Sequence, residues 1–245
     1  MDHVEIQRAM SENPDIIFDL LRDKDPGTRV VAFEAFRQIA ATDQSRVGSI
    51  LADVVNVLKI EVLPNLTNET DPECREALTR IAYGIGTLAG KIDNPSTILP
   101  LLGPLIELLN HPYPRVRAAI ISGIGSFFRA LPDELDDPII NILLRPFRDL
   151  ESEVRAAAAF AWGSIAHSSP EKAASAISPV FALLSDTNET VRAEAAGFFQ
   201  SLGKKLQGEC TMALPILREM RDNDPNEIVR ERASAAVQAI IADRG

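Results

Sequence analysis

The dipeptide Val-Arg recurs along the chain at nearly equal intervals, and this regularity constrains the fold more than any other feature. Successive copies lie 38, 37 and 38 residues apart. A fixed period of about 20–50 residues is typical of repeat architectures, in which each unit forms one supersecondary structure and stacks on the next. The sequence therefore predicts an array of similar units, marked by Val116-Arg117, Val154-Arg155, Val191-Arg192 and Val229-Arg230.

The residues around each Val-Arg pair also recur. An acidic residue precedes the valine by five positions, and a small or aliphatic residue follows the arginine by three. In the third unit His111 stands at the acidic position, and two degenerate copies upstream have Thr28 and Cys74 in place of the valine. The recurring acids and arginines are Asp23 and Arg29, Glu69 and Arg75, Arg117 without an acid, Asp149 and Arg155, Asp186 and Arg192, and Asp224 and Arg230.

Each period contains two segments with helical patterning. The first is an apolar run such as residues 98–109, and the second begins near the arginine. Turn-forming clusters such as Asp224-Pro225-Asn226 separate the two, and no long segment alternates as a strand would. We predict an all-α chain of twelve helices in six hairpins within a single domain, 1–245, with units at approximately 3–42, 45–91, 94–130, 133–168, 170–206 and 207–243.

This unit of acid, turn, Val-Arg and small residue resembles the HEAT repeat, in particular the short alanine-rich variety called HEAT-like or phycobilin-lyase-type repeats. The resemblance is strong over 95–245 and weaker before it. It implies a right-handed α-α superhelix, an α-solenoid in which the hairpins stack and the second helices line a concave face.

The recurring arginines are unfavourably placed for the helix dipole, because they lie in the first turn of a helix. In stacked hairpins the neighbouring turn offers an acid and exposed carbonyl groups that can compensate them. We therefore predict a structural ladder that fixes neighbouring hairpins, formed by Asp23, Arg29, Arg75, Arg117, Asp149, Arg155, Asp186, Arg192, Asp224 and Arg230.

Helical periodicity divides each second helix into a core side and an exposed side. Positions seven and ten after the arginine, which include Trp162, are predicted to be core. Glycines such as Gly86 and Gly123 have two readings, a groove floor for a partner or tight packing between helices. Positions one, five, eight and twelve are expected on the concave side, and the candidate partner-binding residues are Glu76, Arg80, Tyr83, Arg129, Phe160, His167, Gln200 and Lys204.

Charge and composition disfavour several classes of partner. The 35 acidic residues outnumber 25 basic ones, giving a net charge of −10, whereas binding phosphates requires clustered lysine and arginine. Nucleic acid and membrane are therefore not expected as partners, and we expect a cytoplasmic protein without an export signal. The two cysteines match no metal-ligand spacing, so neither a metal site nor a cofactor is expected.

The motifs favour binding over catalysis. The three histidines fall in different units, and none has the adjacent glutamate of the His-Glu pairs that resemble the iron site of the HEAT-repeat hydroxylase acting on deoxyhypusine. The expected function is a scaffold or adaptor that binds another protein, as a monomer or weak homodimer. The alternative is a bilin-lyase-like or other cofactor-handling enzyme, with Tyr83, Trp162 and Arg129 around a tetrapyrrole.

Overall fold

The chain is all-α throughout the part that the structure describes, as its patterning predicts. The computed structural model describes residues 3–68 and 71–242, and no strand occurs within them. They form two compact units, one up to Phe127 and one from Phe128 onwards. Glu69 lies outside the described residues, and the single-domain organisation and repeat boundaries stay predictions.

Helices of four to seventeen residues follow one another along the chain. Within the described residues the α-helices are α1 (His3–Glu12), α2 (Ile17–Leu21), α3 (Pro26–Thr42), α4 (Gln44–Val47), α5 (Leu51–Val57), α6 (Leu63–Asn68), α7 (Pro72–Leu88), α8 (Leu102–Glu107), α9 (Pro114–Ala130), α10 (Asp137–Leu143), α11 (Ser152–Ile165), α12 (Pro170–Ala173), α13 (Ile177–Leu183), α14 (Glu189–Gly203), α15 (Gln207–Cys210), α16 (Leu214–Asn223) and α17 (Glu227–Ile241).

The second helices of the six predicted hairpins are α3, α7, α9, α11, α14 and α17. Each begins three residues before one of the recurring arginines, so the period in the sequence marks the start of a long helix. In the first unit α3 packs against α7, and in the second unit α14 lies between α11 and α17. The prediction of six second helices is thereby confirmed.

The first helices are broken into shorter pieces, and the prediction of one continuous helix in each position was wrong. Prolines such as Pro100 and Pro146 remove backbone donors from these segments and favour short helical turns. The 3₁₀ segments are Pro14–Ile16, Ala89–Lys91, Pro95–Leu101, Leu108–Asn110, Pro132–Glu134, Arg145–Arg148, Ala174–Ala176 and Thr211–Ala213, and Leu58–Val62 is π-helical.

Short polar side chains set the start of four second helices. Asp25 accepts hydrogen bonds from two backbone amides at the start of α3, and Asp71 does the same for α7. Asn188 and Asn226 cap α14 and α17 in this way. Such caps satisfy amides that have no partner within the helix, and each contributes about 1 kcal/mol.

The core follows the predicted columns of the second helices. At seven and ten residues after the arginines every position is buried except Ile39, which is half-buried. Trp162 is fully buried, and its indole Nε1 donates to the carbonyl of Leu143 at 3.1 Å. This tryptophan therefore anchors α11 to α10. No helix within the described part of the chain has the length and apolar character needed to cross a bilayer.

Two glycines allow a close approach of helices in the first unit. A Cβ atom added to Gly86 of α7 would overlap the backbone of Gly123 in α9. A Cβ atom on Gly123 would lie 3.1 Å from the carbonyl oxygen of Ala82. Of the two readings left open by the sequence, tight helix packing accounts for this pair.

We expect Gly86→Ala to lower the free energy of unfolding by about 2 kcal/mol, because overlap with backbone atoms outweighs the gain in helix propensity of about 1 kcal/mol. Urea denaturation of the purified variant measures this change. The matched control is Gly103→Ala in α8, where an added Cβ atom meets nothing within 4 Å. Equal stability of the two variants would contradict the packing role of Gly86.

Candidate functional site

The recurring arginines bind the turn that precedes their own helix. Nη1 of Arg155 donates to the carbonyl of Asp149 at 2.9 Å and to that of Leu150 at 3.0 Å. The arginine is the fourth residue of its helix, so its side chain reaches back over the turn. These bonds were not foreseen from the sequence, and they compensate the cation at the helix start. The same pair of bonds is made by Arg117, Arg192 and Arg230.

Two of the arginines in the second unit also bind the turn of the following hairpin. Nε and Nη2 of Arg155 donate to the carboxylate of Asp186 at 2.8 and 3.0 Å. Arg192 binds Asp224 through the same two nitrogens at 2.7 and 3.0 Å. The structure thus brings these predicted ladder residues together in bidentate pairs, which are stronger and more directional than single contacts.

The aspartates of the ladder also shape their own turns. Each carboxylate accepts a hydrogen bond from the backbone amide two residues further on, which is an Asx-turn. Asp186 and Asp224 therefore each fix their own turn and also accept hydrogen bonds from the arginine of the preceding hairpin. The donors are the backbone amides of Asp25, Glu151, Asn188 and Asn226, and the acceptors are the carboxylates of Asp23, Asp149, Asp186 and Asp224, respectively.

The ion pairs keep these carboxylates charged. The hydrogen bonds from Arg192 act most strongly and hold the pKa of Asp224 below its ordinary value, although burial opposes them. For Asp186, burial acts to raise the pKa, but the bonds from Arg155 and the Asn188 amide outweigh it and the pKa is lowered. Both carboxylates are therefore ionised at neutral pH.

In the first unit an aromatic ring takes the place of the acid. The guanidinium of Arg75 lies 5.0 Å from the ring centre of Tyr113, two residues after His111. A cation over an aromatic face is attracted by the ring quadrupole. In this turn His111 stands at the acidic position, and the ring of Tyr113 provides the contact for Arg75.

Arg29 is the most buried member of the ladder. Its residue is 7% exposed, and Nη2 donates to the carbonyl of Lys24 at 3.3 Å. Nε of Arg29 has no hydrogen-bond partner among the described residues. The acid predicted for the next turn is Glu69, outside the described residues, so the contact predicted for Arg29 stays a prediction.

Three predicted partner-binding residues lie exposed on α7 in the first unit. Glu76, Arg80 and Tyr83 all have exposed side chains, and Tyr83 retains 41% of its surface. Nη1 of Arg115 approaches the Glu76 carboxylate at 3.8 Å. Exposure of a tyrosine on a second helix leaves its ring and hydroxyl available for contact.

In the second unit Phe160 lies at a surface depression of about 210 Å³. Phe160 is 42% exposed, although it is a large apolar residue in the middle of α11. Arg129 and His167 line the same depression, and Gly163 and Gly197 form part of its floor. The structure therefore brings three predicted residues, Arg129, Phe160 and His167, into one site, which we call the Phe160 depression.

On α11 and α14 the exposed stripe is offset from the predicted positions, whereas on α7 the predicted residues Glu76 and Tyr83 are exposed. At one residue after the arginine Ala156 and Ala193 are buried, and at eight residues Gly163 is buried and Gln200 half-buried. Positions two, five, nine and twelve share one side, because successive residues are 100° apart around a helix. Lys204, at position twelve, is exposed as expected.

Because of this offset, two charged residues of the Phe160 depression were not predicted from the sequence. Glu194 and Arg232 both lie two positions after a ladder arginine, and both line the depression. Burial raises the pKa of Glu194, and the charge of Arg232 partly opposes that effect. Counting 100° per residue from the arginine places position two on the same side as positions five and twelve, which would have indicated both residues.

Basic residues lie at the C-terminal ends of α9, α11 and α14. Burial is the largest cause of a lowered pKa at His167, and the charges of Arg129, Lys204 and Lys205 lower it further. A neutral imidazole is therefore favoured at neutral pH. Among the described residues, none of Arg129, His167 and Lys204 forms an ion pair with a carboxylate.

The tetrapyrrole alternative loses one of the residues on which it depended. Trp162 is fully buried and cannot line a groove. Within the described part of the chain, no cluster of three or more histidine, cysteine or acidic residues is placed to hold a metal ion. Both cysteines are buried, and burial raises the pKa of Cys210 to about 12, so its thiol stays protonated.

Comparison with known families identifies the repeat. A family model described as HEAT repeats matches residues 137–238, and a model of the HEAT repeat matches residues 101–131. No curated protein sequence matches this chain. The matched residues include all four intact Val-Arg pairs of the sequence.

Solved structures with a similar fold include a designed armadillo repeat protein and other engineered proteins. A designed armadillo repeat protein in complex with the peptide (KR)4 is 22% identical, with a TM-score of 0.60, and the match covers 91% of this chain and 98% of that one. An engineered structural-genomics target is 20% identical, with a TM-score of 0.62 and coverage of 94% and 99%. These similarities confirm an all-α repeat solenoid.

We expect Asp224→Asn to lower the free energy of unfolding at pH 7 by about 1–3 kcal/mol, because it removes the charge that Arg192 binds. The folded pKa of Asp224 is depressed, so this stabilisation is complete above its unfolded pKa of about 3.9 and is lost as the pH falls through the folded pKa. The gap between the variant and the wild type should therefore shrink below about pH 4.

Urea denaturation at a series of pH values measures this gap. The control is Asp222→Asn, since Asp222 forms an exposed pair with Arg221 near the same turn. Its stability should match that of the wild type at pH 7. A gap for Asp224→Asn that persists unchanged at pH 2.5, roughly a unit below the ordinary pKa of aspartate, would rule out the ion pair as its cause.

Proposed function

The chain belongs to the HEAT-repeat family, and we propose that it is a non-catalytic scaffold that binds another protein along the exposed stripe of its second helices. The observation that carries this proposal is the Phe160 depression. A phenylalanine 42% exposed in mid-helix gains nothing from its contact with water. Covering it with a partner removes apolar surface from solvent and favours binding.

The surroundings of Phe160 suit a protein surface. Gly163 and Gly197 line the depression beside the charged Arg129, Glu194 and Arg232, a mixture that resembles interfaces with an apolar centre and a polar rim. Aromatic and arginine side chains are the residue types that contribute most to such interfaces. In the first unit Tyr83 offers a second aromatic contact on α7.

The fold supports the same interpretation. The designed armadillo protein to which the chain is similar was solved in complex with a peptide, and repeat solenoids expose extended surfaces to partners. This likeness concerns architecture, so the partner of the present chain has to be sought from its own side chains. A cytoplasmic location and a monomeric or weakly dimeric state remain predictions.

We expect Phe160→Glu to abolish or greatly weaken recovery of a stoichiometric protein partner by affinity purification from the native cell. The variant places a charge where the proposal needs an apolar contact. Since Phe160 is substantially exposed, its melting temperature should stay within about 2 °C of the wild type.

The matched control is Leu150→Glu. Leu150 is 95% exposed in a turn of the same unit, so this variant adds the same charge outside the depression. It should recover the partner as the wild type does. Equal recovery by all three proteins, or equal loss in both variants, would contradict binding at the Phe160 depression.

A further inference from the structure

We propose that the second unit binds an acidic peptide segment, through a basic face made of Arg129, His167, Lys204, Lys205 and Arg232 beside Phe160. The segment would be extended, with Asp or Glu residues on both sides of an apolar side chain that covers Phe160. This inference rests on the proposed function and specifies the partner class. Its evidence is the arrangement of charge along the second helices.

Basic residues occupy corresponding positions in consecutive hairpins, and Arg129 and Lys204 are the two that are charged at neutral pH. Arg129, His167 and Lys204 each lie twelve residues after the ladder arginine of their own helical hairpin, and all three are exposed. Packed helices lie about 8–10 Å apart, and an extended chain rises about 3.3 Å per residue. The three positions therefore span about 16–20 Å, so a segment of about seven residues reaches all three, with one carboxylate needed about every three residues.

The first turns of α11, α14 and α17 carry the opposite charge. Glu153, Glu189 and Glu227 are exposed in the first turns of α11, α14 and α17. Cations at C-terminal ends also compensate helix dipoles, which accounts for part of the pattern. Dipole compensation leaves the exposure of Phe160 and the open depression beside it unexplained, whereas a bound peptide uses both.

Charge also favours a short acidic segment over a nucleic acid. The chain carries a net charge of −10, so a long polyanion that extended beyond the basic face would meet repulsion. A peptide of a few carboxylates confined to this face would avoid that cost. Its apolar residue would contact Phe160 in the depression of about 210 Å³, lined also by Gly163 and Gly197.

Fluorescence polarisation tests the proposal with a labelled nine-residue peptide, phenylalanine at its centre and glutamate elsewhere. The full chain should bind it, bind the glutamine version at least about tenfold more weakly, and lose affinity as salt is raised. Replacing the central phenylalanine by alanine should weaken binding to the wild type and have little effect on binding to Phe160→Ala. Equal affinity for the glutamate and glutamine peptides would overturn the proposal.

The variant that tests the face is Arg129→Glu with Lys204→Glu, expected to bind the acidic peptide at least about tenfold more weakly. Its control is Arg145→Glu with Arg148→Glu, which makes the same change in net charge at exposed residues of a first-helix segment. Equal affinities of the two double variants would overturn the proposal, and their melting temperatures show whether both are folded.

A second readout needs no variant that could misfold. The charged groups near the His167 imidazole are Arg129, Lys204 and Lys205, and Glu194 lines the same depression. Carboxylates bound beside the imidazole should raise the pKa of His167. NMR titration with and without the peptide measures this shift. An unchanged pKa at saturating peptide would place the peptide elsewhere and overturn the proposal.

The outcomes separate this inference from the proposed function. If Phe160→Glu loses a natural partner but no acidic peptide binds, the scaffold function stands and the acidic class is wrong. If Phe160→Glu keeps every partner, the scaffold proposal itself fails at this site. A labelled oligothymidine is measured in parallel, and tighter binding of it than of the peptide would overturn the peptide class in favour of nucleic acid.

Discussion

A single arginine side chain joins two turns in the second unit, and the stacking of its hairpins depends on this bond. Nη1 of Arg155 donates to two carbonyls of its own turn, while Nε and Nη2 donate to the carboxylate of Asp186 in the next turn. The backbone carbonyl of Asp186 in turn accepts a hydrogen bond from Arg192, whose Nε donates to Asp224. The planar guanidinium suits this double role because its donors point in fixed directions, which lysine cannot reproduce.

The sequence predicted the period, the second helices and the buried columns, because these depend on local spacing that the chain repeats. It could not reveal the number of helices in the first half of each hairpin, since prolines such as Pro100 divide a run that is still continuously apolar. Nor could it show that each arginine binds its own turn, because backbone carbonyls leave no mark in the residue pattern.

The candidate site was only partly predictable, for a geometric reason. Phe160 and His167 were found because their positions lie near the centre of the exposed stripe. Glu194 and Arg232 were missed because the expected face was rotated slightly around the helix, which exchanged position one for position two. Small angular offsets of this kind decide which charges face a partner, although they hardly change which residues form the core.

The pairing of Arg155 and Arg192 with the turn of the next hairpin has a mechanical consequence. The Arg155–Asp186 and Arg192–Asp224 pairs each connect one hairpin to the next, so tension applied at α17 passes through both contacts in series. The weaker of the two contacts would therefore limit the force that this ladder transmits between hairpins.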